Sequence, residues 1–458
     1  MRKFVAHGSV LLGSRHVRAV GHLLTGTAAT VVLSLLSITL AARALGPQNY
    51  GVLAIILSLG QACERLISFQ SWQPLIRYGA TLDPVADRQP LRALLKFGLL
   101  LDLGGSLGAW AIATLLAAAS HVVLGIAWPM VALAGTYLAS LMFNFNGFDT
   151  AVFRLFGAFR LSAHLQVVTA LLRLAGSAIA CMLGAGLWGF ILVWAITQAF
   201  GPLLNLALAL RILRRHGIGG IARAQLAGIA DRFPGLWRFT WGANLSLTIW
   251  ASAQQLDTLI VGWLADPVSA GLFHIAKRVS RIVQQVGSQV EAVIYPELSR
   301  MWAAGRRPEF LRLLLQTEGV LAGFGAACWL GAFLLGGWAI AVTAGPHFAG
   351  AGPLLTVQIL AAALSISGAA SRAGLLAMGR QPAVLRTVLA ASCAFYLSVA
   401  PLIFWLGAMG ANVAHVLFGA TWLCGLTLSL RAGLRAQPAD PLREKGAPVA
   451  LATAVTVS

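Results

Sequence analysis

Twelve apolar runs of transmembrane length, separated by short connections, constrain this chain more than any other feature. They fall near residues 22–44, 50–72, 94–119, 122–144, 164–183 and 187–210, then near 241–264, 268–296, 311–338, 352–376, 384–406 and 409–431. A run of about 20 apolar residues crosses the hydrocarbon core as a helix, because a helix satisfies its own backbone there. Only 10% of the 458 residues are charged, too few to keep a soluble fold of this size dissolved. The longest polar stretch, residues 212–239, is too short for a soluble catalytic domain. The expected fold class is an all-α integral membrane protein with about 12 transmembrane helices.

The formal net charge of +19 would suit a nucleic-acid binder, but its distribution does not. Of the 33 Lys and Arg residues, 27 lie in alternate connections: the N-terminus, 73–96, 145–163, the central loop, 298–312, 372–386 and the tail. The connections between these carry none apart from Arg43. Positive residues stay on the cytoplasmic side, so both termini are expected there, with the phospholipid bilayer as partner and no nucleic acid. The basic start (Arg2, Lys3, Arg15, Arg18) is like a signal sequence. Its apolar part is too long and lacks an A-x-A exit, so it reads as an uncleaved first helix.

The runs divide six and six about the central loop, and three matches recur at nearly constant offset. Gly51 pairs with Gly271, Gly157 with Gly379, and Leu183-Gly184-Ala185 with Leu406-Gly407-Ala408. An even number of spans gives both halves the same orientation, as in transporters whose repeats enclose a central cavity. The expected units are an N-terminal six-helix half over 1–210, a central cytoplasmic loop over 211–240, a C-terminal half over 241–432 and a disordered tail over 433–458. Arginine in the loop suits either an anionic membrane surface or an ordinary positive-inside linker.

Basic residues inside the spans are the most informative. Each Lys or Arg facing lipid at the bilayer centre costs ~2.5–3.5 kcal/mol, and span eight carries Lys277, Arg278 and Arg281 together. On a helical wheel these share one face with His274, Gln284, Gln285, Ser288, Gln289 and Glu291, opposite Ile275, Val279, Ile282, Val286 and Val293. Such a helix lines water or a polar ligand. Span two repeats the pattern more thinly with Ser58, Gln61, Arg65, Ser68 and Trp72; span five offers Arg173, and span seven Asn244 and Gln255.

The expected cationic cavity is Arg65, Arg173, Lys277, Arg278 and Arg281, binding an anion through bidentate guanidinium bonds and a lysine point charge. Its expected polar lining is Gln61, Trp72, Asn244, Gln255, Gln284 and Gln285, side chains suited to hydroxyl bonding and ring stacking. Glu64, Asp149, Asp257 and Glu291 are candidates for ion coupling, or for structural pairing with the cations. The nine histidines show no metal-binding spacing, so no metal and no cofactor is expected. No phosphate-binding G-x-x-x-x-G-K-[ST] run is present, and no nucleophilic triad is anchored to a motif, so the chain reads as a non-enzyme. The five cysteines, all in apolar segments and without a C-x-x-C pair, read as small buried hydrophobes.

The segments R-A-L-G-P-Q-N-Y-G-V-L-A (43–54), Q-L-D-T-L-I-V-G-W-L (255–264), S-A-G-L-F (269–273) and Y-P-E-L-S-R (295–300) resemble signatures of bacterial polysaccharide biosynthesis proteins, the lipid-linked oligosaccharide flippases. The resemblance runs from about residue 20 to 432 and implies membership of the multidrug/oligosaccharidyl-lipid/polysaccharide exporter superfamily. It implies transfer of undecaprenyl-pyrophosphate-linked glycan across the bacterial inner membrane by alternating access, with a polysaccharide polymerase and glycosyltransferases as further partners. The alternatives are a drug or cation antiporter of the same superfamily, a membrane-embedded polyprenyl-linked glycosyltransferase or polymerase, and a non-transporting assembly scaffold. The net positive balance of the buried charges disfavours the antiporter, and the short outer connections disfavour the transferase.

Overall fold

The computed structural model describes residues 15–435 apart from Gln70 and Val85. Arg2, Lys3 and the tail beyond Arg435 lie outside the described residues, and the last helix runs through residues 433–435, where the tail was expected to begin. Among the described residues every regular element is helical.

The N-terminal half comprises α1 (Arg15–Ile67), α2 (Trp72–Gly79), α3 (Arg88–Leu124), α4 (Trp128–Leu138), α5 (Asn146–Leu155), α6 (Phe159–Met182) and α7 (Gly186–Arg215). After α8 (Ile229–Arg232), the C-terminal half comprises α9 (Leu236–Gln255), α10 (Asp257–Leu264), α11 (Pro267–Ala303), α12 (Arg307–Ala344), α13 (Ala351–Ser367), α14 (Ala369–Ala377), α15 (Gln381–Leu406) and α16 (Ala408–Arg435). These elements make twelve passages in two six-helix halves around a central cavity. Among the described residues, eight stretches are by themselves long and apolar enough to cross a membrane. The first two passages merge into one of these, Ala29–Gly79, because helical hydrogen bonding continues past the break inside α1. The fourth and seventh passages are interrupted at 139–145 and at Leu256, and the eighth is polar along one side.

Local chemistry sets the breaks. Gly46 adopts φ 68° and ψ 173° ahead of Pro47, which has no N–H to continue the ladder, so α1 bends into two spans. Helix α11 begins at Pro267 with Asp266 as its cap, the carboxylate accepting from the Ser269 N–H at 2.9 Å.

The central loop folds onto the N-terminal half. Ile218, Ile221, Ile229, Phe233 and Leu236 are buried in one cluster with Leu75, Leu91, Leu94 and Phe148. Lys96 donates to the Ala224 carbonyl at 2.8 Å, and the Tyr78 hydroxyl to the Pro234 carbonyl at 3.1 Å.

The two halves join tightly at the end of the bundle opposite the arginine-rich connections. There α1 packs on α11, and a Cβ placed on Gly271 would lie 3.1 Å from the Gly51 Cα. Beside this seam the Tyr50 hydroxyl and His274 Nδ1 share a buried hydrogen bond of 2.8 Å, with Phe348 edge-on to Tyr50. Arg43 crosses to the other half as well, donating to the carbonyls of Val342 and Thr343.

Candidate functional site

Between the halves, on the side of the arginine-rich connections, lies a cavity of about 580 Å³. Helix α11 supplies the largest share of its wall, because its polar stripe turns inward: Arg281, Gln284, Gln285, Ser288 and Glu291 all line it. Arg65 reaches it from the second passage, Gln254 and Gln255 from the seventh, and Arg372, Phe418 and Trp422 from the tenth and twelfth.

A second cavity of about 280 Å³ shares Arg281 and Gln285 with the first and adds Arg278, Gln166 and Ser34. A third, of about 210 Å³, shares Ser34 and Gln166 with the second and contains Arg173. The three adjoin in series. Arg281 lies within electrostatic reach of Arg65 and Arg278, and Arg278 within reach of Arg173. None of these four forms a salt bridge among the described residues. Glu64 lies within electrostatic reach of Arg65 and Asp257 within reach of Arg281, yet guanidinium groups keep their charge in proteins, so the four form a ladder of cations outside any salt bridge, with a net positive balance.

Carboxylates neutralise other cations nearby. Lys277 is buried outside all three cavities, donating to Asp257 Oδ1 and, at 2.9 Å, to the Gln254 carbonyl. His415 Nε2 meets Asp257 Oδ2 at 2.8 Å, so one buried carboxylate joins α10, α11 and α16. At the cavity mouth Arg372 pairs with Glu291 at 2.8 Å.

The structure thus brings Arg65, Arg281, Gln255, Gln284, Gln285 and Glu291 to one cavity and places Arg278 and Arg173 along its extension. The other sequence-predicted residues lie outside these three cavities. Trp72 stacks under Arg154, whose guanidinium carbon is 4.5 Å from the ring centroid. Asn244 is buried, Gln61 and Glu64 are half-buried, and Asp149 is buried at the start of α5. Sequence reasoning missed Arg372, which it assigned to a connection, and Phe418 and Trp422, whose i, i+4 spacing is lost in an apolar run.

Solved structures of similar fold include an inward-facing multidrug-resistance MATE transporter of the MOP superfamily. It has a TM-score of 0.71 at 13% identity, over 89% of this chain and 96% of that one. The lipid II flippase MurJ in an inward closed conformation matches with a TM-score of 0.69 at 13% identity, over 89% and 87%. Among curated proteins, the inner membrane protein YghQ of Escherichia coli (strain K12) is 28% identical over 295 residues, covering 64% of this chain and 82% of YghQ. The sequence also matches the family described as polysaccharide biosynthesis protein over residues 17–302, well over half the chain. With twelve helical passages around a central cavity, this chain is a multi-pass membrane protein and belongs to the polysaccharide biosynthesis protein family.

Proposed function

We propose that the protein is a flippase that moves undecaprenyl-pyrophosphate-linked oligosaccharide across the bacterial inner membrane during cell-surface polysaccharide synthesis. One observation carries this reading: Arg65, Arg281, Arg278 and Arg173 form a ladder of cations outside any salt bridge among the described residues, along adjoining cavities. Four such charges cost roughly 10–14 kcal/mol on insertion scales if they faced lipid. An anionic cargo supplies the missing counter-charge, and planar guanidinium groups suit phosphate oxygens.

The roles follow the geometry. Arg65 and Arg281 hold the pyrophosphate, and Gln254, Gln255, Gln284 and Gln285 offer amides to sugar hydroxyls. Trp422 and Phe418 offer ring faces. The polyprenyl chain stays in the bilayer, where burial of its apolar surface is already satisfied. Transfer is alternating access: the cavity loads from the cytoplasmic side, the seam at Gly51 and Gly271 opens, and the cavity mouth closes. Both termini are cytoplasmic in this reading, and a polymerase and glycosyltransferases consume and supply the cargo. Asp257 and Glu291, which already hold cations of the protein, act as structural counter-charges.

The test is leaflet transfer in liposomes holding the purified protein, using a fluorescent undecaprenyl-pyrophosphate oligosaccharide with quencher access as readout. Wild type transfers the lipid, and Arg281→Ala, while folded, does not. Transfer of a cationic dye instead of the lipid would replace this reading with a drug antiporter.

A further inference from the structure

The third cavity lies within the N-terminal half, away from the main chamber. Its wall is formed by α1, α6 and α7 with Asn146 of α5, and its composition is unlike that of the main chamber. Apart from a few small or apolar groups, it consists of hydroxyls and amides around one guanidinium, and among the described residues no carboxylate lines it. Arg173 spends its Nε on the Thr197 hydroxyl at 3.0 Å and lies over the Trp194 ring at 5.9 Å. It forms no salt bridge among the described residues. Asn205 Oδ1 is shut away from solvent without a hydrogen-bond partner. The Asn205 side chain bonds instead to the buried Asp149 carboxylate, so it is not offered to the cavity.

We infer that this cavity is a sugar subsite selective for a residue carrying a carboxylate, such as a hexuronate, with Arg173 reading the acid and Gln166 and Gln198 reading the ring hydroxyls. The inference rests on the lipid-linked glycan reading above and deepens it by naming a substrate class. The volume of about 210 Å³ is below the roughly 300–1,000 Å³ of pockets for whole drug-sized ligands. It therefore suits a single ring. One guanidinium matches one carboxylate, whereas a pyrophosphate carries more charge and finds Arg65 and Arg281 in the main chamber, where Arg372 is already paired with Glu291. The second cavity joins the two, so a glycan held by its pyrophosphate at Arg65 and Arg281 extends past Arg278 toward Arg173.

The experiment measures binding of two undecaprenyl-pyrophosphate disaccharides to the full-length protein in nanodiscs, one ending in glucuronate and one in glucose. Wild type should prefer the glucuronate lipid by about ten- to a hundredfold, the range of a charged hydrogen bond. Arg173→Gln should abolish that preference by weakening the glucuronate lipid far more than the glucose lipid, and Arg281→Gln should weaken both lipids alike. Gln198→Glu places an anion among the residues lining this cavity and should remove the preference while Arg173 remains, which keeps the test valid if Arg173→Gln fails to fold. Equal binding of both lipids by wild type overturns the subsite and leaves the flippase reading standing. Equal weakening of both lipids by Arg173→Gln also overturns it, assigning Arg173 to the general cationic field. Binding of neither lipid by folded wild type overturns both readings.

Discussion

Gly51 and Gly271 touch across the seam between the halves, and the contact is reciprocal. A Cβ on Gly51 would overlap the Pro267 carbonyl, and one on Gly271 would come within 3.2 Å of the Pro47 carbonyl. Each glycine stands four residues after a proline that begins the second span of its half. The sequence repeat is thus also a spatial pair, arranged as an isologous contact in which each member meets the other's partner. Only the absence of a side chain lets two helices approach so closely.

Closure of the seam therefore depends on these two positions. Gly51→Ala should hold the halves apart on this side, because its methyl meets backbone, which has little room to move. Overpacking typically costs about 1–3 kcal/mol, or roughly 5- to 150-fold in the balance between closed and open states. A spin-label distance between positions 45 and 345 should lengthen in the variant population. An unchanged distance distribution would refute the role of the seam.

The Tyr50–His274 bond lies next to that contact and makes a milder probe. Tyr50→Phe keeps the ring against Phe348 and leaves His274 Nδ1 without its partner. An orphaned buried group costs about 1–3 kcal/mol, all of it in the closed seam. The variant should open like Gly51→Ala but to a smaller extent, with little change in lipid binding by the closed form. Loss of binding together with an intact seam would contradict this assignment.

Much of this arrangement was legible in the chain. Span count, the six-and-six division and the Gly51–Gly271 repeat follow from hydrophobic run lengths and spacing, which the bilayer enforces. The inward turn of α11 was legible as well, because its polar stripe has no tolerable alternative. What the wheel did not separate was Lys277 from Arg278. They are adjacent in sequence and share the stripe, yet Lys277 is tied to Asp257 while Arg278 lines the second cavity. That difference depends on Asp257 of α10, which faces Lys277 from another helix, and on His415, 158 residues away, which bonds the same carboxylate. Neither is a periodicity. Arg372 was hidden for the opposite reason, since its place near a basic connection already accounted for its charge.

The Asp257 cluster should behave as structure. Asp257→Asn removes the only salt-bridge partner of Lys277 among the described residues and leaves that ammonium buried. Breaking a buried pair on one side costs about 3–5 kcal/mol, so the thermal midpoint of the purified protein should fall by many degrees. The double variant Asp257→Leu with Lys277→Met removes both charges and should recover much of that loss, because well-packed apolar residues often replace such pairs at little cost. A double variant less stable than either single one would show that the pair does more than cancel charge.

Arg372 and Glu291 provide the contrasting case, an ion pair at the mouth of the cavity where water reaches both partners. Their side chains are 37% and 17% exposed, so the pair resembles surface bridges, which contribute about 0–1 kcal/mol. Glu291→Gln should therefore leave the thermal midpoint nearly unchanged. Its effect should fall on ligand binding instead. Removing the carboxylate releases Arg372 and raises the net positive charge of a chamber that already holds Arg65 and Arg281. Inorganic pyrophosphate should then bind more tightly, by several-fold at low ionic strength, with the gain shrinking as salt screens it over a Debye length of about 8–10 Å. Transfer of the lipid should slow at the same time, since a cargo held more tightly leaves more slowly. Titration calorimetry with pyrophosphate at two salt concentrations, alongside liposome transfer, checks both consequences. Weaker pyrophosphate binding by Glu291→Gln would mean that the carboxylate positions Arg372 for the ligand rather than competing with it.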